Sequence, residues 1–369
     1  MRILVTGAEG FIGKHLIMGL KNNKHTEIDE YDLDTGEELL DQYCRDADLV
    51  YHLAGANRPK EEAEYIYANV DFTKHLINTL KKQNNLCPVI FASSVQAMLD
   101  NPYGSSKKAG EDMLFEYSKE TGAKVLVYRF SNVFGKWCRP NYNSVVATFC
   151  YNVAHDLPIT VNDPKAVLKL LYIDDLVEEL LRAAQGKETW RGSYCKVPVF
   201  HLITLGTIAE LIRSFKSTRE ELSIPDMSDP LTKKLYSTYL SYLPKQDIGY
   251  ELTMHTDQRG SFTEFIKQTG IGQLSVNISK PGVVKGNHWH NTKHEKFLVV
   301  SGTGVIRLRN VTSTEVIIFN VNGEKLEVID IPPGYVHNLE NLGNSDMVTI
   351  IWANECYLME KPDTYSVEV

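Results

Sequence analysis

Tyr103 and Lys107 lie four residues apart at the start of a stretch of helical period, so both side chains project from one face. A neighbouring ammonium favours the phenolate and would draw the tyrosine's pKa down toward working pH, which makes Tyr103 a candidate proton donor. Ser94 ends the apolar run PVIFASS, where a hydroxyl could hold a carbonyl oxygen beside that tyrosine. A second chemical group stands far along the chain. The stretch GVVKGNHWHNTKHEKFLVVSG, residues 282–302, packs His288, His290, His294 and Glu295 together as a metal site would. His288 and His290 are two apart in a strand-like segment and share a face. Trp289 alternates away from them and reads as core packing, His294 as a surface histidine on a turn, and Cys356 as a small buried side chain.

These groups need elements to hold them. The opening ILVTGAEGFIG sets Gly7, Gly10 and Gly13 between an apolar strand and a helical segment, where glycines let a pyrophosphate approach the helix N-terminus. The second strand ends near EIDEYDLD, where Asp32 could bind a ribose hydroxyl and favour NAD. Short β-rich runs alternate with helical segments through the first third, which is the βαβ pattern of a parallel sheet. From about Thr207 to Leu243 the pattern turns helical, and after Pro244 it becomes many short strands with Gly and Pro turns, as in a small all-β barrel. The expectation is therefore two domains, 1–244 and 245–369, as 369 residues also suggest. A net charge of −8 argues against a nucleic-acid surface. Met1 runs directly into RILVTG, no apolar run approaches a membrane span, and six cysteines lack any CxxC spacing, so a reducing cytoplasm is expected.

Residues 1–245 resemble the extended short-chain dehydrogenase/reductase family, a doubly wound Rossmann-type α/β fold. The motifs are the glycine turn, DLVYHLAG, Asn69-Val70, YRFSNVFG at 128–135 and YIDDLVEELL at 172–181. The resemblance implies Ser94, Tyr103 and Lys107 as a catalytic trio. It implies Gly7, Gly10, Phe11, Ile12, Gly13, Asp32, Leu53, Ala54 and Asn69 around the cofactor, and Asn132 and Arg139 near a sugar nucleotide. Family dehydratases follow the serine or threonine with an Asp-Glu pair; here Val95 and Gln96 follow Ser94, which disfavours dehydration. The short interval to Tyr103 is similar to that of reductases of 4-keto-6-deoxy sugars, which favours carbonyl reduction and, against Asp32, NADPH.

Gly282-x5-His288-x-His290-x4-Glu295-x6-Gly302 resembles the first motif of the cupin family, and Pro332, Gly334, His337 and Asn341 match the second, with Leu326 where its leading glycine belongs. This implies His288, His290, Glu295 and His337 as ligands of Zn²⁺ or another divalent metal. DQRGSFTEF at 257–265 resembles instead the metal-free cupin deoxysugar 3,5-epimerases, in which His288 would be a general base and Arg259 and Glu264 would hold substrate. His288 is thus a ligand, a base, or a base beside a metal. With this order of parts the whole chain is similar to bifunctional capsular polysaccharide enzymes that make UDP-2-acetamido-2,6-dideoxy-β-L-talose on the route to UDP-N-acetyl-L-fucosamine. That likeness implies a UDP-linked 4-keto-6-deoxy amino sugar as substrate, epimerisation at carbon 3 by the cupin, reduction at carbon 4 with NADPH, and a homodimer. In the alternative reading the cupin only binds or dimerises.

Overall fold

The computed structural model describes every residue except Thr26, Thr269, Leu358, Met359 and Lys361. The chain divides into two compact units, Met1–Phe215 with Ser228–Pro244, and Lys216–Met227 with Lys245–Val369. A single cut after residue 244 therefore misassigns 216–227. That segment pairs with the all-β unit through Lys267 N–H to the Leu222 carbonyl (2.9 Å) and Ile224 N–H to Gln268 Oε1 (2.8 Å).

The first unit alternates β1 (Ile3–Thr6), α1 (Phe11–Asn22), β2 (Ile28–Tyr31), α2 (Glu37–Asp46), β3 (Leu49–His52), α3 (Phe72–Lys82), β4 (Val89–Ser94), α4 (Pro102–Thr121) and β5 (Val125–Phe130). β1, β3 and β4 are buried along their whole length, which is why they read as unbroken apolar runs. Short strands β8 (Trp190–Arg191) and β9 (Tyr194–Cys195) extend the sheet, whose order is β2-β1-β3-β4-β5-β9-β8, with parallel pairing from β2 to β9. Alternate side chains of β1 feed different cores. Ile3 and Val5 pack with Leu16 and Leu20 of α1 and with α6 (Ile173–Ala184), whereas Leu4 packs with Leu40 of α2, Leu76 of α3 and Leu114 of α4. Helices thus cover both faces. β2 and β3 flank β1 on opposite sides, so the crevice at the carboxyl end of β1 is the topological switch point where such sheets bind ligands. A side sheet of β10 (His201–Thr204), β7 (Val167–Tyr172) and β6 (Asn132–Phe134) packs with α5 (Val145–Ala154), residues 205–215 of α7 (Leu205–Ser217) and α8 (Pro230–Leu240).

The second unit carries two antiparallel sheets, as in a cupin-like barrel. One contains β11 (Met254–Asp257), β12 (Gly260–Gln268), β13 (Gly272–Ser279), β15 (Glu295–Ser301), β18 (Val328–Ile331) and β20 (Met347–Ala353). The other contains β14 (Val284–Trp289), β16 (Thr303–Asn310), β17 (Val316–Asn322), β19 (Tyr335–Asn341) and β21 (Tyr365–Ser366). Phe297, Val299, Ile306, Leu308, Ile329 and Leu339 form the core. Among the described residues, no helix is long and apolar enough to cross a membrane.

Candidate active site

The turn after β1 is shaped by close approach. Gly7 has φ +72°, and a Cβ there would lie 2.7 Å from the Ala54 amide nitrogen; one on Gly13 would lie 2.2 Å from the Gly7 carbonyl oxygen. Gly10 caps α1 without any side-chain hydrogen bond, which leaves the helix N-terminus, flanked by Phe11 and Ile12, able to receive a phosphate. A dinucleotide pyrophosphate fits this cradle. Asp32 follows β2, and its carboxylate accepts from the Glu9 and Leu33 amides (2.7 and 2.9 Å), so it stands against the glycine turn. Leu53 and Ala54 run beside β1, with Leu53 N–H donating to the Thr6 carbonyl (3.1 Å).

Ser94 ends β4, and Pro102 starts α4 with Asn101 as its cap, Oδ1 accepting from Gly104 N–H at 2.8 Å. The Ser94 hydroxyl acts on the Tyr103 phenol from the end of β4, so the strand end and the helix start converge. Lys107 is buried one turn on, its Nζ 4.6 Å from the Phe91 ring centroid. Burial pushes this ammonium down to about 8, while Glu111 acts to raise it. The expected lowering of the Tyr103 pKa is not found: burial raises it above its ordinary value, and the Ser94 hydroxyl only partly offsets that. The phenol is therefore protonated at neutral pH, the state a proton donor needs. Asn69 donates to Ser106 Oγ (2.9 Å) and the Ala56 carbonyl (3.1 Å), while its buried Oδ1 has no partner. A Cβ on Gly55 would lie 2.5 Å from that Oδ1 and 3.4 Å from Lys107 Nζ, which locates both groups at one edge of the crevice. Asn132 is exposed on β6 and donates to the Lys169 carbonyl (3.2 Å). Exposed Arg139 lies over the Tyr142 ring (5.1 Å), and Tyr142 and Tyr65 both act electrostatically on Tyr103. Neither tyrosine carries a motif, so spacing did not reveal them.

In the second unit, His288, His290, Glu295 and His337 place donor atoms within 4.8 Å of one another. β14 and β19 pair His288 with His337 across a bulge at Asn287; Gly286 makes it possible, since a Cβ at its φ of +103° would lie 2.7 Å from the His337 carbonyl oxygen. Glu295 Oε2 stands 3.5 Å from His290 Nε2 and 3.3 Å from His337 Nε2, and all three atoms are buried without a hydrogen-bond partner. His290 Nδ1 faces the Asp363 carbonyl and His337 Nδ1 the Tyr335 carbonyl, contacts that leave the Nε2 lone pairs directed inward. This donor set fits a divalent cation. Burial would raise the Glu295 pKa, but the His290 and His337 imidazoles beside it prevail and hold the carboxyl well below its ordinary range. Burial, with His337 and His290 adding to it, pushes His288 down to about 4, so its imidazole is neutral at pH 7.

The cluster opens into a cavity of about 800 Å³ that Arg259, Glu264 and Lys285 also line. Arg259 is paired with Asp257 (2.7 Å) and Glu264 with Lys267 (3.2 Å). His294 is exposed and lies outside the cluster. Trp289 and Cys356 are half-buried rather than core: the indole stacks on Tyr365 at 4.8 Å and the thiol lies 3.8 Å from the Gly272 carbonyl. Sequence reasoning missed Asp363, whose carboxylate accepts from the Asn291, Thr292 and Lys293 amides at 2.9, 2.7 and 2.9 Å and so clamps the loop between His290 and Glu295. No local pattern links residues so far apart in the chain.

Two family models match the chain. The NAD dependent epimerase/dehydratase family covers residues 3–193, and the polysaccharide biosynthesis C-terminal domain covers residues 255–365. A UDP-2-acetamido-2,6-beta-L-arabino-hexul-4-ose reductase from Pseudomonas aeruginosa is 39% identical over 369 residues, which is 100% of this chain and 99% of that protein. The crystal structure of the capsular polysaccharide assembling protein CapF from Staphylococcus aureus superposes with a TM-score of 0.94 at 49% identity, covering 100% of both chains. A UDP-glucuronic acid 4-epimerase from Bacillus cereus in complex with NAD is 21% identical, with a TM-score of 0.54 over 66% of this chain and 98% of that one, and shows a shared fold. With more than half of its length matched by the first model and a full-length relative of this identity, the chain belongs to the NAD dependent epimerase/dehydratase family.

Proposed function

We propose that the chain epimerises and then reduces a UDP-linked 4-keto-6-deoxy amino sugar in capsular polysaccharide biosynthesis. The cupin unit inverts carbon 3 of a UDP-2-acetamido-2,6-dideoxy-4-keto-hexose. The Rossmann unit then reduces carbon 4 with NADPH to UDP-2-acetamido-2,6-dideoxy-L-talose, toward UDP-N-acetyl-L-fucosamine. The observation that carries the reading is the union in one chain of the Ser94–Tyr103–Lys107 group beside a phosphate-receiving turn with a histidine–carboxylate cluster in a large cavity. A 4-keto sugar is a substrate both can act on, and the full-length likeness to a hexul-4-ose reductase supports it.

When bound, the reduced nicotinamide supplies a hydride to carbon 4. As the carbonyl π bond breaks, Tyr103 gives its phenolic proton to the oxygen, so that one C–H and one O–H bond replace it. Ser94 holds the oxygen, and the Lys107 ammonium stabilises the phenolate left behind. A divalent metal such as zinc, held by His290, Glu295 and His337 with His288 as ligand or neighbour, would supply positive charge that acidifies the proton beside the ketone. His288 is neutral and faces the cavity, so it can accept that proton. Arg259 and Glu264 hold the sugar nucleotide there; Asn132 and Arg139 hold it in the Rossmann unit. We assign the chain to a homodimer in the cytoplasm. Exposed Val316, Ile317 and Ile318 on edge strand β17, and six free cysteines, support this.

Two observations favour second readings. Four protein donors are the number of a closed structural zinc site, which favours a cupin that only binds or dimerises. The turn after β2 carries Asp32 and Asp34, and α2 opens with Glu37 and Glu38; these acids would repel a 2′-phosphate, which favours NADH. Incubating the purified chain with the UDP-linked 4-keto-6-deoxy amino sugar and either nucleotide tests all of these. Faster oxidation of NADPH with an L-talo product by NMR is the expected result. Reduction with carbon 3 unchanged would support the passive cupin, and failure to oxidise either nucleotide would defeat the reading.

A further inference from the structure

Glu111 is completely buried on α4, one turn beyond Lys107 and two beyond Tyr103, so the three side chains follow one another along a single helix face. Its carboxylate is saturated by other elements. Oε1 accepts from Ser93 Oγ (2.5 Å) and Arg129 Nε (2.8 Å), and Oε2 from Arg129 Nη2 (2.5 Å) and the Tyr194 hydroxyl (3.3 Å). Ser93 and Arg129 are opposite partners across β4 and β5, and Tyr194 lies on β9 with its ring 3.9 Å from the Arg129 guanidinium carbon. One carboxylate thereby ties α4 to three strands, at the residue immediately before Ser94.

We propose that Glu111 is a positioning residue for carbonyl reduction, fixing the helix face of Tyr103 and Lys107 against the strand end of Ser94 and serving as the counter-charge of Lys107; this rests on the reductase reading above. A buried ion pair is an inefficient way to glue a helix to a sheet, since apolar residues of similar volume often do as well or better. What the pair adds is direction. Bidentate guanidinium–carboxylate geometry fixes both partners in a plane, and the Ser93 bond leaves the peptide leading into Ser94 little freedom.

The surroundings of Lys107 point the same way. From α4 it meets Glu111; from β3 it meets His52, which burial, with Lys107 adding to it, holds neutral near 3; and Phe91 of β4 covers it. Glu111 is the anion in this set, and its charge is shared with Arg129. Removing the carboxylate's charge and removing the guanidinium's charge therefore act on Lys107 with opposite sign.

The test is the pH profile of kcat for nucleotide oxidation by the full chain with the UDP-linked 4-keto sugar. Glu111→Gln should lower kcat about tenfold or more through misplacement, with KM for the sugar little changed, and should move the alkaline limb to lower pH. Arg129→Gln should move that limb to higher pH. A purely structural role would lower the melting temperature of both variants and leave the limb in place, which overturns the proposal. If Glu111→Gln does not fold, Arg129→Gln decides alone, with Tyr194→Phe as the milder control: an unmoved limb refutes the inference. Wild-type chain that reduces nothing removes the reductase reading and this inference with it, whereas active wild type with unmoved variants removes only the inference.

Discussion

Tyr103→Phe separates chemistry from packing because the two consequences differ in scale. The substitution removes one hydroxyl and keeps the ring, which lies 5.7 Å from that of Tyr65. At most one hydrogen bond goes with the hydroxyl, and Ser94 Oγ still accepts from the Gln96 amide at 3.2 Å, so no buried acceptor is orphaned. One such bond contributes about 1 kcal/mol. In a unit of this size that lowers the melting temperature by roughly 2–4 °C. A positioned general acid contributes about 10²–10⁴ in rate, or roughly 3–5 kcal/mol of barrier. The expectation is therefore a reductase slowed by about a hundredfold or more in a protein that melts almost where wild type does. Nucleotide oxidation followed by absorbance, beside a thermal melt and nucleotide titration, reads all three quantities. A rate within a few-fold of wild type, or a rate loss matched by lost nucleotide binding, would refute Tyr103 as the proton donor.

Other perturbations have equally definite outcomes. Lys107 is held near 8 against an ordinary 10.5, so below pH 8 its buried charge costs the fold about 3 kcal/mol. Between pH 8 and 10.5 only the unfolded chain keeps the proton, so stability rises with pH there. Lys107→Met should accordingly be more stable than wild type at pH 7 in urea, lose that advantage by about pH 10.5 and fail to reduce; lower stability at pH 7 would contradict this. Gly13→Val should abolish nucleotide binding, since even its Cβ would fall 2.2 Å from the Gly7 carbonyl oxygen; retained binding by titration calorimetry would contradict the cradle. Metal analysis should find about one divalent ion per chain, absent after His290→Gln. Asp363→Ala should weaken retention against a chelator by roughly tenfold or more through loss of the loop clamp, and unchanged retention would limit Asp363 to folding.

What was legible in the sequence was local. The glycine turn, the four-residue interval of Tyr103 and Lys107, and the paired His288 and His290 all express a helix or strand period, and such periods survive without tertiary knowledge. Contacts set by the fold did not show. Glu111 continues the same four-residue spacing, which is a signal in hindsight, but its partners Ser93, Arg129 and Tyr194 meet it only because β4, β5 and β9 are neighbours. The clamp from Asp363 and the pairing of 216–227 with β12 are equally non-local. The direction of the Tyr103 pKa was misjudged for a related reason: spacing shows that an ammonium is near, whereas burial, which dominates here, depends on the packing of the entire crevice.

The central claim is that one chain performs both steps, and deuterium at carbon 3 tests it most directly. In deuterated water without nucleotide, the full chain should exchange the carbon 3 hydrogen of the UDP-linked 4-keto sugar, and Tyr103→Phe should do so equally well, while His288→Asn should not. Adding NADPH should convert the labelled ketone to the L-talo product with one deuterium retained at carbon 3. No exchange by the wild-type chain, or exchange that requires Tyr103 and ignores His288, would contradict the account and leave the cupin as a binding module.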